Sequence, residues 1–132
     1  MRDMVLDTSI LILYLKKEEK YFYVKKLFTE AKRAKTCFYV SEITYMEVFY
    51  YSIRNAGEEK ANKILANLIK LPLRFEPISR SILTAGARFK SRGKISLADA
   101  IIAATAKEKN LPLLTKNPEF LALKDEIKVE LL

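Results

Sequence analysis

The chain has 132 residues, half of them hydrophobic, and a formal net charge of +8. This length suits one domain, because single domains usually have about 100–200 residues. No apolar run reaches the roughly 18 residues of a membrane-spanning helix, and the residues after Met1 lack the cleavage site of a signal peptide. We therefore expect a single domain, residues 1–132, in the cytoplasm and without a membrane partner.

Histidine is absent and Cys37 is the single cysteine. Ser-His-Asp and Cys-His catalytic sets and histidine-ligated zinc sites are therefore excluded. Cys37 lies in an apolar run, which predicts a buried, inert thiol. Any metal must be bound through oxygen atoms, which favours Mg²⁺ or Mn²⁺. The positive charge has two compatible causes, a polyanionic partner or the Lys/Glu-rich surface typical of proteins from heat-loving organisms.

Predicted strands and helices alternate along the chain. Strands are predicted at 4–6, 37–40, within 73–78, at 111–115 and at 127–131. Helices are predicted at 8–16, 18–34, 42–55, 58–70, 80–91 and 97–109. Ser41, Ser79 and Ser96 stand where N-caps are needed. The alternation predicts an α/β fold, a three-layer sandwich in which helices flank a central parallel sheet of four to five strands.

Three acidic residues lie in apolar sequence, whereas the other acids stand among charges. Asp7 ends the first predicted strand, Glu47 lies on a predicted apolar helix stripe with Met46, and Asp99 lies in an apolar helix. A carboxylate directed toward a core is unfavourable unless it is paired, hydrogen-bonded or bound to a metal. One divalent cation shared by all three acids would relieve their mutual repulsion.

Each acid could also have a purely structural role. Asp7 could cap the first helix, Asp99 could form a capping box with Ser96, and Glu47 could pair with Arg54. One shared metal site accounts for all three at once. A metal-bound water can attack phosphorus while the ion stabilises the phosphate oxygens, so acids in basic surroundings without histidine indicate nuclease chemistry.

Four segments together resemble the motifs of one family. Val5–Ser9, Ser41–Val48, Leu97–Ala106 and Leu113–Phe120 are similar, in this order, to the motifs of the PIN-domain ribonucleases, and most closely of the VapC-type toxins of toxin–antitoxin pairs. The resemblance implies a parallel, PIN-like sheet with its acids at one edge and Mg²⁺- or Mn²⁺-dependent hydrolysis of RNA. It also implies a homodimer and a cognate antitoxin that suppresses activity.

The resemblance assigns roles to individual residues. Asp7, Glu47 and Asp99 match the catalytic acids, which are direct or water-bridged metal ligands, and each of them remains a candidate for orienting the attacking water. Asn117 matches an outer metal ligand. The family often has Asp there, and Asn offers an amide oxygen without charge, so a second ion would be held less firmly. Glu119 either compensates or points to solvent.

Three hydroxyl residues are predicted to hold the carboxylates by hydrogen bonds. They are Thr8, Ser9 and Thr115. The alternative for each is helix capping or turn formation.

The densest basic cluster near a proposed site residue consists of Arg88, Lys90, Arg92 and Lys94. It is predicted to contact RNA phosphates, since Lys and Arg supply most sequence-independent affinity for nucleic acid. The alternative is a solvated helix end whose cations complement the helix dipole.

The aromatic runs Tyr21–Tyr23 and Phe49–Tyr51 exceed what one helix face buries. Part of each is therefore expected to contact another chain, as a dimer interface or an antitoxin groove.

Two other functions stay open from the sequence. A non-catalytic PIN-like module that binds RNA or protein is compatible with Asn117. A phosphoacceptor receiver domain would use Asp7 as its phosphorylated residue and Lys116 as its partner lysine, although Asp3 matches the expected acidic pair poorly.

Overall fold

The structure is a computed structural model that describes residues 2–132. The strands are β1 (Met4–Leu6), β2 (Phe38–Ser41), β3 (Leu73–Glu76), β4 (Leu113–Thr115) and β5 (Val129–Leu131). The helices are α1 (Thr8–Leu15), α2 (Tyr21–Ala34), α3 (Glu42–Ala56), α4 (Glu58–Ile69), α5 (Arg80–Arg92) and α6 (Leu97–Lys109). A 3₁₀-helix, Pro118–Leu123, lies between β4 and β5.

All strand pairs are parallel, and the strand order is β3-β2-β1-β4-β5. The predicted parallel sheet flanked by helices is confirmed, and β3 and β5 are its edges. Receiver domains have the order 2-1-3-4-5, so this topology contradicts the receiver alternative.

Both faces of the sheet are buried. Met4 and Leu6 of β1 belong to a core under α1, α2, α3 and α4, while Val5 belongs to a second core under α5, α6 and the 3₁₀-helix. A strand buried on both faces is apolar along its whole length, which explains the unbroken hydrophobic run before Asp7.

The ends of two elements differ from the prediction because the backbone breaks there. α2 begins at Tyr21 and not at residue 18, since Lys17 and Lys20 have φ of 52° and 71°. This left-handed conformation is incompatible with a continuing right-handed helix. β4 begins at Leu113 and not at residue 111, and Pro112 before it has no N–H to donate to a neighbouring strand.

Two residues predicted to be buried are not. Met46 is 59% exposed, because the buried positions of α3 are Thr44, Val48 and Ser52. Two residues after Thr44, the helix has turned by about 200°, so Met46 points away from the core. Cys37 is half-buried and lies just before β2 rather than inside it.

Asp7 lies where the order of the strands reverses. The chain proceeds outward from β1 to β2 and β3, and then returns to the other side of β1 with β4 and β5. In parallel sheets such a reversal opens a crevice at the carboxyl ends of the strands, where ligands bind. The Asp7 N–H donates to the Leu114 carbonyl at 2.9 Å, which joins β1 and β4 at this crevice.

Within residues 2–132, none of the helices combines the length and apolar character needed to cross a membrane. The single-domain organisation and the cytoplasmic location stay predictions.

Replacing Phe89 with alanine is expected to destabilise the fold by about 3–5 kcal/mol, because the truncation leaves a cavity under α5. Phe89 is 1% exposed, whereas Leu83 of the same helix is 48% exposed. Leu83→Ala is therefore the matched control, with an expected change below about 1 kcal/mol. Urea unfolding curves measure both, and equal losses of stability would contradict the described packing of α5.

Candidate active site

Asp7 is the most buried of the three predicted acids, with 3% of its surface exposed. It stands between β1 and α1, and its side chain makes no cap hydrogen bond to that helix. Its Oδ2 instead accepts hydrogen bonds from Ser9 Oγ at 2.7 Å and Thr115 Oγ1 at 2.8 Å. Burial raises the pKa of Asp7, and the two hydroxyl donors oppose that rise.

The loop after β4 is attached to Asp7 through the same two hydroxyls. Thr115 Oγ1 accepts the Asn117 N–H at 2.9 Å, and Ser9 Oγ accepts the Lys116 N–H at 3.1 Å. Each hydroxyl thus accepts from the loop and donates to the carboxylate. The structure places Ser9 and Thr115 against Asp7, and their contribution to function stays a prediction.

Glu47 in the second turn of α3 reaches the site through α1. Thr8 Oγ1 donates to Glu47 Oε1 at 2.7 Å. Because Thr8 has a single hydroxyl proton, its 2.9 Å contact with Thr44 Oγ1 must be donated by Thr44. Burial raises the pKa of Glu47, the Thr8 bond lowers it, and the charge of Asp7 raises it further.

Thr44 was not among the residues predicted for the site. The sequence could have indicated Thr44 by its spacing, because it lies three residues before Glu47. Residues at this spacing are neighbours on one helix face. The alternative pairing of Glu47 with Arg54 is absent from the ion pairs of residues 2–132.

Asp99 lies in the first turn of α6. Its N–H donates to Ser96 Oγ at 3.1 Å, which is the capping contact of the structural alternative. Its Oδ2 also accepts from Asn117 Nδ2 at 3.3 Å. Burial raises the pKa of Asp99 to about 6, and the charges of Asp7 and Glu47 add to the rise. Asp99 can therefore take part in the helix cap and belong to the acidic cluster at the same time.

The three acids come from the end of β1, from α3 and from α6, and they interact electrostatically in one crevice. In the described part of the chain, no lysine or arginine forms an ion pair with any of them. Their repulsion is consequently not offset by a cationic side chain. Among residues 2–132, no three Cys, Asp or Glu side chains are placed to hold one ion together, so the acids do not form a closed cage.

Asn117 connects the crevice to the 3₁₀-helix. Its Oδ1 accepts the Glu119 N–H at 3.0 Å and caps that helix, while its Nδ2 donates to Asp99. In this arrangement Asn117 is a hydrogen-bond bridge, and its role as an outer metal ligand stays a prediction. Glu119 is exposed, and its charge contributes to the raised pKa of Asp99.

All four residues of the predicted RNA-binding cluster are exposed at the end of α5 or just after it. Arg92 and Lys94 line a groove that Glu119 also lines, whereas Arg88 and Lys90 lie outside that lining. Lys116, which was not predicted for the nuclease site, follows Thr115 directly, and its Nζ lies 3.2 Å from Glu18 Oε1.

Asp99→Asn is expected to raise the melting temperature of the protein by a few degrees at pH 8 in a chelator. Because the pKa of Asp99 in the folded state is about 6, above its ordinary value of 3.8, the ionised form destabilises the fold at pH 8. The wild-type protein therefore gains stability as the pH falls through 6. The advantage of the variant should shrink toward pH 5.

Thermal melts from pH 5 to pH 8 measure this effect. Asp125→Asn, a change at an exposed carboxylate, is the control and should leave the melting temperature almost unchanged. An Asp99→Asn melting curve that follows the control at every pH would contradict the raised pKa of Asp99 in the folded state.

Both the sequence and the fold resemble those of known proteins. A family model described as PIN domain matches residues 4–126. No curated protein matches the sequence significantly. Among solved structures, a chain of DNA-bound VapBC from Salmonella typhimurium is 19% identical, with a TM-score of 0.81 and coverage of 98% of each chain. A toxin–antitoxin complex from Klebsiella pneumoniae is 28% identical, with a TM-score of 0.63 and coverage of 90% of each chain.

Mycobacterium tuberculosis VapC20, described as a sarcin-ricin loop cleaving toxin, is 17% identical, with a TM-score of 0.70. That comparison covers 90% of this chain and 93% of VapC20. The family match includes all four motif segments and nearly the whole sequence, and the chain belongs to the PIN domain family.

Proposed function

We propose that the protein is a metal-dependent endoribonuclease that hydrolyses RNA phosphodiester bonds and acts as the toxin of a toxin–antitoxin pair. The observation that carries the proposal is the cluster of Asp7, Glu47 and Asp99, which repel one another without a cationic side chain. Membership of the PIN family supports it. Similarity to VapC20 and to the Klebsiella toxin–antitoxin complex supports the toxin role.

The donor set fits Mg²⁺ or Mn²⁺. Carboxylate oxygens are the ligands these ions prefer, and Mg²⁺ usually keeps several waters and binds only one or two carboxylates. An incompletely closed cluster suits that mode of binding. Asp7, Glu47 and Asp99 would hold the ion directly or through water, with Asn117 as an outer ligand. A bound ion would supply positive charge for the phosphate oxygens and a more acidic water.

The side chains of the crevice would position the reacting groups. Ser9 and Thr115 hold Asp7 Oδ2 in one orientation, and Thr8 does the same for Glu47. Any of the three acids could orient the attacking water.

A non-catalytic binding module is the second candidate. It is favoured by Asn117, whose amide nitrogen faces Asp99 where the family often places another acid. A site with fewer charges would hold one ion rather than two, or bind RNA without cleaving it.

A homodimer and a cognate antitoxin are the proposed protein partners. Exposed apolar side chains occur on two helices, Phe22 and Tyr23 on α2 and Met46 and Tyr50 on α3. Contact with another chain would cover such side chains. We assign the α3 surface to the dimer, because Met46 and Tyr50 are one turn apart and form a stripe.

The antitoxin is proposed to bind an apolar groove between α1, α3 and α4. The groove has a volume of about 430 Å³ and is lined by Ile12, Leu15, Val48, Tyr51 and Ile64, among others. Tyr51 belongs to the aromatic run that was expected to contact a partner. An amphipathic segment of an antitoxin could place its apolar face there.

Purified protein is expected to cleave labelled, structured RNA with Mg²⁺ or Mn²⁺ and to stop when a chelator is added. Asp7→Asn and Asp99→Asn should each lower the rate at least about 100-fold, as expected for groups that take part in proton transfer or ion binding. Gel analysis of the products measures the rate, and Asp125→Asn serves as the control. RNA binding without cleavage, unaffected by either substitution, would favour the non-catalytic module.

The isolated chain is expected to be a dimer, with twice the chain mass of 15.2 kDa. Met46→Lys should shift it toward the monomer, because a charge would be buried at the contact. Phe22→Lys, a matched change on α2, should leave the dimer intact. Size-exclusion chromatography with light scattering measures the mass, and an unchanged dimer in Met46→Lys would contradict the assigned surface.

A further inference from the structure

A groove of about 410 Å³ lies between the end of α5 and the 3₁₀-helix. Phe89, Ile95 and Leu123, all buried, contribute its apolar floor. Its volume falls in the range of small-ligand pockets, roughly 300–1,000 Å³. The groove can therefore accommodate a compact, partly apolar group such as a nucleoside.

Two hydrogen bonds connect the lining of the groove to the acidic crevice. Glu119 lines the groove, and its N–H donates to Asn117 Oδ1 at 3.0 Å. The amide nitrogen of Asn117 donates in turn to Asp99 at 3.3 Å. Asn117 thus links Asp99 to Glu119 of the groove lining, so an RNA strand with a phosphate at the acids would bring its adjoining nucleoside close to the groove.

The charged side chains around the groove suit the binding of one nucleoside and one phosphate. Glu126 is paired with both Arg92 and Lys107, which neutralises this carboxylate. Lys94 has neither an ion pair nor a hydrogen bond to its side chain within residues 2–132, so its charge is available for a phosphate. Glu119 would repel a phosphate, but its carboxylate can accept a hydrogen bond from a base N–H.

We infer that this groove binds the nucleoside next to the cleaved phosphate, with Lys94 at the following phosphate. The apolar floor contacts the base or ribose, and the charged rim fixes the strand. The inference rests on the proposed cleavage of RNA. Charged side chains (Arg92, Lys94 and Glu119) line this groove beside its apolar floor, and this mixture suits a nucleotide better than the apolar face of a partner helix.

Binding of labelled single-stranded RNA in a chelator tests the groove without requiring activity. Ala122→Phe places a ring in the groove and should weaken binding roughly tenfold, the scale of one lost base contact. The logarithm of the RNA-binding constant falls linearly with the logarithm of the salt concentration. Lys94→Gln should make this slope less steep by about 0.7, the value for one lost phosphate contact on a single strand. Fluorescence anisotropy at several salt concentrations measures both.

Matched controls lie on α4, on the opposite side of the sheet. Ala66→Phe and Lys63→Gln change exposed residues in the same way and should leave binding unchanged. Thermal melts of all four variants identify any loss of folding. In the presence of metal, cleavage of a randomised RNA pool should show a base preference at one position beside the cut, which Ala122→Phe alters and Ala66→Phe preserves.

The outcomes separate this inference from the proposed function. Cleavage by the wild-type protein with Ala122→Phe and Lys94→Gln behaving like their controls would overturn the groove and leave the nuclease intact. Binding weakened by both variants, without cleavage by the wild-type protein, would support the groove and contradict the nuclease. Failure of the wild-type protein to bind or cleave RNA would overturn both.

Discussion

The site depends on one constraint, the burial of the Asp7 carboxyl group at the end of the central strand β1. A buried charge is unfavourable unless hydrogen bonds or an opposite charge compensate for it. For Asp7, hydroxyls from two parts of the chain supply the hydrogen bonds. The charges of Glu47 and Asp99 lie near Asp7, and no lysine or arginine of residues 2–132 forms an ion pair with these acids. Gathering the three acids in one crevice therefore lowers the stability of the fold.

Local chemistry explains why much of the fold could be predicted. Ser41, Ser79 and Ser96 each accept a hydrogen bond from a backbone N–H of the helix that follows, as an N-cap requires. The apolar runs of β1 and β4 were recognisable as strands, because a strand buried on both faces is apolar along its whole length. Asp7 was identifiable because a carboxylate directly after such a run is drawn out of water and needs a compensating partner.

The features that could not be predicted depend on distant parts of the chain. Lys17 and Lys20 have a left-handed backbone conformation, and no glycine at these positions indicates it in the sequence. Met46 is exposed because it lies on the face of α3 that points away from the core. The apolar stripe of this helix is ambiguous in the sequence, because aromatic residues lie on several of its faces. Thr44 and Asn117 acquire their roles only through contacts with residues far away in sequence, at Thr8 and Asp99.

The two ends of the Asn117 side chain couple parts of the molecule that would otherwise be independent. If its amide oxygen turned toward an ion, the Glu119 N–H would lose its acceptor and the first turn of the 3₁₀-helix would loosen. That helix is one wall of the groove beside α5. Ion affinity and groove occupancy would then be thermodynamically linked, and each would change the other by the same factor. Through this one uncharged residue, the affinity for an ion at the acids would depend on whether the neighbouring groove is filled.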